Sequence, residues 1–228
     1  MSGAPHRHFH DDLSNLKAQL LQMSAEAQAA LSTALEALLQ RDADRAGTVL
    51  EGDQAIDSEE VAIEEAVIEM LATQQPMARD LRFLTAAMKI ANDLERVGDH
   101  AVNIAQSAQQ LHRQLSFPAP PELIEISRLA RKMLADALEA FIRGDTEAAR
   151  AVCRRDDAVD ALHRSVFRLM LTHMMEDPRA ISAGIEMVLV SRNLERVADL
   201  ATNIAEDVVF MVEGRSIKHH AQEGSDQG

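Results

Sequence analysis

The chain has 228 residues, of which 46% are hydrophobic and 3% aromatic, and its formal net charge at pH 7 is −14. This length can bury a sizeable core, whereas so acidic a surface argues against non-specific nucleic-acid binding, which needs cationic side chains against phosphates. The single Cys153 excludes a disulfide framework within the chain and a multi-cysteine zinc site. No apolar run reaches the roughly 20 residues that span a bilayer, so we expect a soluble, cytoplasmic protein without direct membrane insertion.

The first half of the sequence predicts three long helices, because Ala, Leu, Glu, Gln and Arg are abundant while Gly and Pro are scarce. Leucines at helical spacing predict a first helix over residues 11–40. Asp42 is suited to cap the amino terminus of a second helix, which extends to about Gln75. Pro76 suits the first turn of a third helix, which we expect to end near Leu115.

The second half repeats this plan after the proline-rich segment 117–121. A fourth helix is expected from about Glu122 to Arg143, a fifth contains Asp156, and Pro178 opens the sixth. Short connections make neighbouring helices antiparallel, so each half should be a three-helix bundle. We therefore predict an all-α fold of two tandem three-helix bundles related by internal duplication. The predicted repeats cover residues 9–115 and 122–213, and the predicted flexible tails cover 1–8 and 214–228.

One phrase occurs twice in the sequence, at residues 92–105 and again at residues 192–205. Its Glu, Arg, Val, Asp, Asn, Ile and Ala residues recur in identical register, one hundred positions apart. A duplication that retains charged residues as well as its apolar pattern indicates that those charges have a function.

The two repeated glutamates, Glu95 and Glu195, fall on heptad series that are mostly apolar. Seven-residue steps join Leu81, Met88, Glu95 and Val102 in the third predicted helix. This spacing predicts that each glutamate takes the place of an apolar core residue on a stripe that faces a neighbouring helix. Small residues accompany both stripes and would allow close approach: Ala91, Gly98 and Ala105 in the third helix, and Gly184, Ser191, Ala198 and Ala205 in the sixth.

Further carboxylates lie one helical turn apart on the neighbouring predicted helices. Asp99 follows Glu95 by four residues and shares its face, while Asp53 with Asp57 and Asp156 with Asp160 have the same spacing. Antiparallel packing could bring such pairs opposite one another. Four converging carboxylates would form a hard-oxygen site suited to iron, manganese, magnesium or calcium, with zinc also possible.

A structural ion-pair network is the alternative interpretation of these acids. Arg96 and Arg196 precede Asp99 and Asp199 by three residues and could neutralise them within one helix. Arg79 and Arg82 could also reach a neighbouring acid. The sequence leaves the metal site and the structural ion pairs both open.

The phrases at residues 93–100 and 193–199 resemble the signature of the PhoU family. The resemblance extends from Phe9 to Gly214 and includes the aspartate-rich second helix, the Gly144-Asp145 turn and the closing segment 203–214. It implies a cytoplasmic accessory protein of phosphate signalling that is not an enzyme and commonly forms homodimers. The implied partners are the ATPase subunit of the phosphate ABC transporter and the phosphate sensor histidine kinase. The implied activity is negative regulation of the phosphate-starvation regulon and of phosphate uptake.

The resemblance also implies multinuclear iron or zinc clusters on Glu/Asp-x-x-x-Asp motifs. Two departures within the duplication, Asp93 to Asn193 and Glu60 to His163, predict that the two sites differ in charge and preferred metal. The residues that match the motifs are Asp53, Asp57, Glu95 and Asp99 in the first repeat, and Asp156, Asp160, Glu195 and Asp199 in the second.

Two other classes of function compete with this interpretation. A carboxylate-bridged di-metal enzyme of the ferritin-like kind would need Glu-x-x-His on two helices. Here His163 follows Asp160, and Gly98 stands where Glu95 would require histidine, so that pattern is absent. A purely structural adaptor bundle without metal would suit long amphipathic helices and an acidic surface equally well.

Overall fold

The structure is a computed structural model that describes residues 4–113, 118–215 and 217, with side chains from Phe9 onward. All of its regular elements are helical, which confirms the predicted all-α class. The helices are α1 (Ala4–Gln40), α2 (Ala43–Gln74), α3 (Ala78–His112), α4 (Pro121–Arg143), α5 (Thr146–Cys153), α6 (Asp156–Glu176) and α7 (Ile181–Glu213), with a 3-10 turn at Pro178–Ala180 before α7.

Aspartates at equivalent positions of the two repeats cap the starts of α2 and α5. The Asp42 carboxylate accepts a hydrogen bond from the Arg45 backbone N–H at 3.0 Å, and Asp145 accepts one from the Ala148 N–H at 2.9 Å. Each carboxylate satisfies one of the backbone donors that a helix leaves unpaired at its amino terminus. The cap prediction for α2 is therefore confirmed, and its counterpart recurs at α5.

Several predicted helix ends were wrong by a few residues. Helix α1 begins at Ala4, so part of the segment predicted as a tail is helical. Helix α3 begins at Ala78, because Gln75 adopts a left-handed conformation with φ of 46° and Pro76 lies in the connection. The predicted end of α3 at Leu115 lies outside the described residues, as does residue 216 and everything after Ile217 in the carboxyl-terminal tail.

The fifth predicted helix is broken, so the expectation of six helices was wrong. Helix α5 ends at Cys153 and α6 begins at Asp156. Between them Arg155 donates to the Asp136 carboxylate of α4 at 2.6 Å, and two acids start α6, where they interact favourably with its dipole. No glycine or proline marks this break, which is why the sequence pattern runs through it.

Two three-helix bundles, joined side by side, confirm the predicted architecture. Helices α1, α2 and α3 pack together, and α4, the α5–α6 pair and α7 form the second bundle. The bundles meet mainly along α3 and α7, which run antiparallel. Lys89 Nζ lies 3.1 Å from Asp207 Oδ1, and His100 Nδ1 lies 2.9 Å from Asn193 Oδ1.

The α3–α7 contact has an approximate two-fold symmetry. From the pairing of Lys89 with Asp207 and of His100 with Asn193, the midpoint of the two helices lies near Val97 and its repeat equivalent, Val197, both fully buried. Equivalent surfaces of the two repeats therefore face each other, as in an isologous dimer. Helices α3 and α7 consequently bury two faces each, one towards their own bundle and one towards each other.

These two buried faces correct the predicted heptad stripe. Leu81 is 44% exposed, as is its counterpart Ile181, and both Glu95 and Glu195 are only half-buried. Because α3 packs against its own bundle and also against α7, its buried surface does not coincide with one seven-residue stripe. The small-residue seams predicted beside it are confirmed as buried: Ala91, Gly98, Ala105, Gly184, Ser191, Ala198 and Ala205.

The described helices also bear on membrane insertion. None of those in residues 4–113 and 118–213 combines the length and the apolar character that crossing a bilayer requires.

Candidate metal centre

The first carboxylate cluster lies between α2 and α3. Helix α2 contributes Asp53 and Asp57, and α3 contributes Glu95 and Asp99, so all four predicted ligands of the first repeat act on one another electrostatically. Gly98 allows the two helices to approach closely. A Cβ atom at that position would stand 3.1 Å from Ile56 Cδ1 and 3.8 Å from Asp53 Oδ1.

Crowding of these acids makes ionisation of the first cluster unfavourable. Burial raises the pKa of Glu95 to about 7, and the charges of Asp99, Glu60, Asp57 and Asp53 add to the effect in that order. Burial also raises the pKa of Asp53, with further contributions from Asp57 and Asp99. Like charges at close range disfavour the ionised form, so the cluster attracts cations.

The first cluster lacks the arginine partner that the ion-pair interpretation expects. The Arg96 guanidinium lies 3.7 Å from the Asp93 carboxylate and forms no ion pair with Asp99. Arg82 donates instead to the Met211 carbonyl at 3.2 Å. Among the described residues, no lysine or arginine forms an ion pair with the four predicted ligands of this cluster, so the predicted Arg96–Asp99 pair is wrong.

The second cluster lies where α6 begins beside α7. Burial raises the pKa of Asp156 to about 6, followed by the charges of Asp199, Asp160 and Asp157, while the Thr202 hydroxyl opposes the shift. Asp156 Oδ1 and Thr202 Oγ1 are buried, and among the described atoms neither forms a hydrogen bond of good geometry, although the hydroxyl is near enough to lower the pKa of Asp156. Three of the four predicted ligands of this repeat are thus brought together.

Arginines partly neutralise the second cluster, in contrast to the first. Arg196 lies 3.1 Å from the Asp199 carboxylate and 3.7 Å from that of Glu195, and Arg164 lies 3.6 Å from Asp160. The predicted Arg196–Asp199 pair is confirmed. Burial still raises the pKa of Asp199 against the opposing effect of Arg196, so the two repeats differ in charge balance, as their sequences predict.

The donor chemistry of both clusters fits a hard cation. Carboxylate oxygens are the preferred ligands of magnesium, manganese and non-haem iron, and the buried Asp156 oxygen lacks a partner. Within the described part of the chain, however, no three His, Cys, Asp or Glu side chains are already placed around one point so as to hold a metal ion. Ligation would therefore require the half-exposed carboxylates to change rotamer.

The sequence analysis counted Glu60 among the differences between the two sites but not among their ligands, and it did not assign Thr202 to a site. Glu60 raises the pKa of Glu95 and accepts a hydrogen bond from the Asn92 amide at 3.1 Å. Its position three residues after Asp57, on the same helix face, is the signal that could have identified it. Thr202 follows Glu195 by seven residues on the same heptad series, and that spacing is the signal that could have identified it. The Glu60 counterpart, His163, instead contacts the Ser191 hydroxyl at 2.9 Å.

Comparison with protein families gives one match that covers most of the chain. The profile described as the PhoU domain matches residues 20–108 and 123–208. The two matched segments correspond to the two bundles, and each contains one carboxylate cluster.

Named relatives match over nearly the whole length. A protein of Zymomonas mobilis called "Phosphate-specific transport system accessory protein PhoU homolog" is 36% identical over 92% of this chain and 88% of its own length. One of the same name from Pseudomonas aeruginosa is 37% identical over the same shares.

Solved structures with the same arrangement of helices are also similar. The crystal structure of PhoU from Pseudomonas aeruginosa superposes with a TM-score of 0.85 at 36% identity, covering 91% of this chain and 100% of that one. The phosphate transport system regulatory protein PhoU from Streptococcus pneumoniae gives a TM-score of 0.83 at 31% identity, over 91% and 98% of the two chains.

Proposed function

Because this chain belongs to the PhoU family, we propose that it is a cytoplasmic, non-enzymatic regulator of phosphate homeostasis. The observation that carries this proposal is the near full-length match, through both bundles, to proteins named accessory or regulatory components of phosphate transport. A nucleophilic role for Cys153 finds no support, since burial raises the pKa of its thiol to about 11 and the thiol form is a poor nucleophile.

We propose that the protein acts by contact with two partners, the ATPase subunit of the phosphate transporter and the phosphate sensor histidine kinase. In ample phosphate it would restrain both the starvation regulon and phosphate uptake. A net charge of −14 suits partner surfaces that carry basic patches, because complementary charge speeds association. We further propose that the active form is a homodimer.

The regulatory role is tested in a deletion strain grown with ample phosphate. We expect constitutive alkaline phosphatase expression, at least tenfold above the parent strain, and full repression when the intact gene is restored. A matched strain in which only the transporter ATPase is deleted separates loss of uptake from loss of regulation. Unchanged repression in the deletion strain would contradict the proposal and leave a structural adaptor as the remaining reading.

We also propose that each carboxylate cluster binds a metal ion, with iron, manganese, magnesium and zinc as candidates. The supporting observation is the first cluster, whose acids repel one another without an arginine between them. Asp53, Asp57, Glu95 and Asp99 would hold the ion there, and Asp156, Asp160, Glu195 and Asp199 would hold it in the second repeat. The ion would supply positive charge that removes repulsion between neighbouring helices.

The raised pKa of Glu95 predicts a pH-dependent stability of the metal-free protein. The folded state keeps the proton up to a pKa of about 7, whereas the unfolded value is near 4.5. The contribution of protonated Glu95 to the free energy of unfolding is therefore fully present below pH 4.5 and is lost as the pH rises through about 7. The variant Glu95→Gln should be more stable than the parent at pH 8 by about 1 kcal/mol, a value reduced for solvent screening. Urea unfolding at several pH values measures this difference.

Added metal should offset the loss of stability at high pH, and it should do so more strongly in the parent protein than in Glu95→Gln. Divalent manganese or iron is expected to stabilise the parent at pH 8 and to leave Glu95→Gln less affected, with less metal retained per chain by elemental analysis. The control is Glu64→Gln, an exposed glutamate on the same helix as Asp57. Equal metal content in all three proteins would remove Glu95 from the set of ligands.

A further inference from the structure

An open groove lies on the outer face of the α3–α7 pair, on one side of its two-fold midpoint. Its volume is about 710 Å³. It is lined by the second half of α3 and the first half of α7, and the side chains that matter below are Arg96, Arg192, Arg196, Asn103, Gln106 and Glu186. It shares no lining residue with the cleft that holds Asp53 beside Gly98, so the groove and the first carboxylate cluster are distinct surfaces.

The symmetry of the α3–α7 pair supplies an internal comparison for this groove. On the other side of the midpoint lie the repeat equivalents of its lining residues, and that surface is rich in acids. Compared with that counterpart surface, the groove has neutral residues in place of three carboxylates and an arginine in place of an asparagine. It also lacks one lysine and has one additional glutamate. The changes are Asp93 to Asn193, Glu206 to Gln106, Asp207 to Ser107, Asn92 to Arg192, Lys89 to Leu189 and Ala86 to Glu186.

These replacements make the lining of the groove more positive than its counterpart surface, in a protein that is strongly acidic overall. Three arginines and one carboxylate line the groove, whereas the equivalent positions of the counterpart surface carry three cations and three carboxylates. Duplicated surfaces start out identical, so this charge difference arose after the duplication and sets the two surfaces apart. Such a local excess of positive charge attracts anions despite the opposite net charge of the chain.

Two of the arginines are held in place and the third is left available. Arg96 lies 3.7 Å from the Asp93 carboxylate on its own helix, and Arg196 is held by Asp199 at 3.1 Å. Arg192 forms no ion pair with any described residue. Nearly two turns earlier on the same helix, Glu186 provides a carboxylate of the groove lining. Arg192 is therefore the cation best able to take an external partner.

We propose that this groove binds a small phosphate-bearing molecule, with Arg192 as the principal anchor. The planar guanidinium forms paired hydrogen bonds to phosphate oxygens, and the amides of Asn103 and Gln106 add neutral donors. The groove is much larger than one phosphate group, so a chain of linked phosphates would contact arginines on both helices at once. The site does not depend on the regulatory role proposed above, because binding is measured on the purified protein.

Calorimetric titration with inorganic phosphate and with tripolyphosphate tests the proposal. The protein is first treated with a chelator, because a cation at the carboxylate clusters would itself attract phosphate. At 150 mM salt, where the Debye length is about 8 Å, we expect tripolyphosphate to bind and Arg192→Asn to weaken binding at least tenfold. This variant installs the residue found at the equivalent position of the first repeat. Glu186→Gln is expected to strengthen binding several-fold, since it removes the only acid of the groove.

The matched control is Arg168→Asn, which removes an exposed arginine on α6 that does not line the groove. Circular dichroism verifies that each variant is folded. Binding of orthophosphate with the same Arg192 dependence would identify free phosphate as a ligand, and binding of tripolyphosphate alone would identify a linked-phosphate ligand. Equal affinity in Arg192→Asn and the parent, an equal loss in Arg168→Asn, or no binding at millimolar concentrations would overturn the proposal.

Discussion

Replacing Leu94 by alanine is expected to lower the free energy of unfolding by about 3 kcal/mol, within the range measured for buried leucines. Leu94 is fully buried in the middle of α3, the helix that packs against both helices of its own bundle and against α7. Truncation removes the side-chain contacts and leaves a cavity that close-packed long helices cannot easily collapse. Guanidinium unfolding followed by far-ultraviolet circular dichroism measures the change.

The matched control for this variant is Leu81→Ala, which removes the same atoms from an exposed position of the same helix. We expect it to change the free energy of unfolding by less than about 1 kcal/mol, because Leu81 is already 44% exposed in the folded protein. Similar losses in the two variants would mean that helix propensity, rather than core packing, dominates the stability of α3.

Replacing Lys89 by methionine is expected to destabilise the protein by about 2 kcal/mol, since it leaves a buried carboxylate without its charged partner. The Asp207 side chain is only 3% exposed, and Lys89 Nζ lies 3.1 Å from its carboxylate across the contact between the bundles. Methionine keeps most of the apolar length of lysine, so the change isolates the charge. Chemical unfolding measures the loss, which should disappear in part when Asp207→Asn is added.

The control for Lys89 is Lys132→Met, which removes a lysine–aspartate pair of similar length. Lys132 Nζ lies 3.2 Å from the Asp136 carboxylate, but Asp136 also accepts from Arg155 at 2.6 Å and so keeps a charged partner. We expect a loss below about 0.5 kcal/mol for this variant. A loss as large as that of Lys89→Met would show that the position of the Lys89–Asp207 pair between the bundles does not increase its contribution to stability.

The sequence predicted the bundles well because each helix carries its own local signals. Asp42 marks a helix start through its cap, and the spacing of leucines in α1 marks a buried face. Because the sequence is duplicated, the same order of three helices could be predicted separately in each half of the chain. Such signals act within a few residues, so they can be recognised in the sequence before the fold is known.

Features that depend on packing between helices could not be predicted from the sequence in the same way. The break at Arg154 and Arg155 carries no glycine or proline and follows contacts to α4. The heptad stripe was misplaced because α3 buries a second face against α7, which no pattern within α3 reveals. The sequence allowed Arg96 to pair with Asp99, yet its side chain extends towards Asp93, one turn in the other direction.

Some candidate ligands could likewise be predicted from local spacing, whereas the surroundings of another depend on packing. The spacing of Asp53, Asp57, Glu95 and Asp99 sufficed to bring them together, since antiparallel helices place such pairs opposite each other. Glu195 could not be assigned in the same way, because its carboxylate lies beside Arg196. Its electrostatic surroundings depend on a neighbouring guanidinium whose direction the sequence does not fix.

The near two-fold meeting of α3 and α7 has an evolutionary consequence. A single bundle with such a surface would have associated with a second copy, and that association would have weakened on dilution. Joining the copies in one chain replaces bulk concentration by an effective concentration in the millimolar range for a short connection. The pairing then persists however few molecules a cell contains. The two halves also gained separate codons, so each could accept substitutions that an obligatory pair of identical subunits would have had to accept twice.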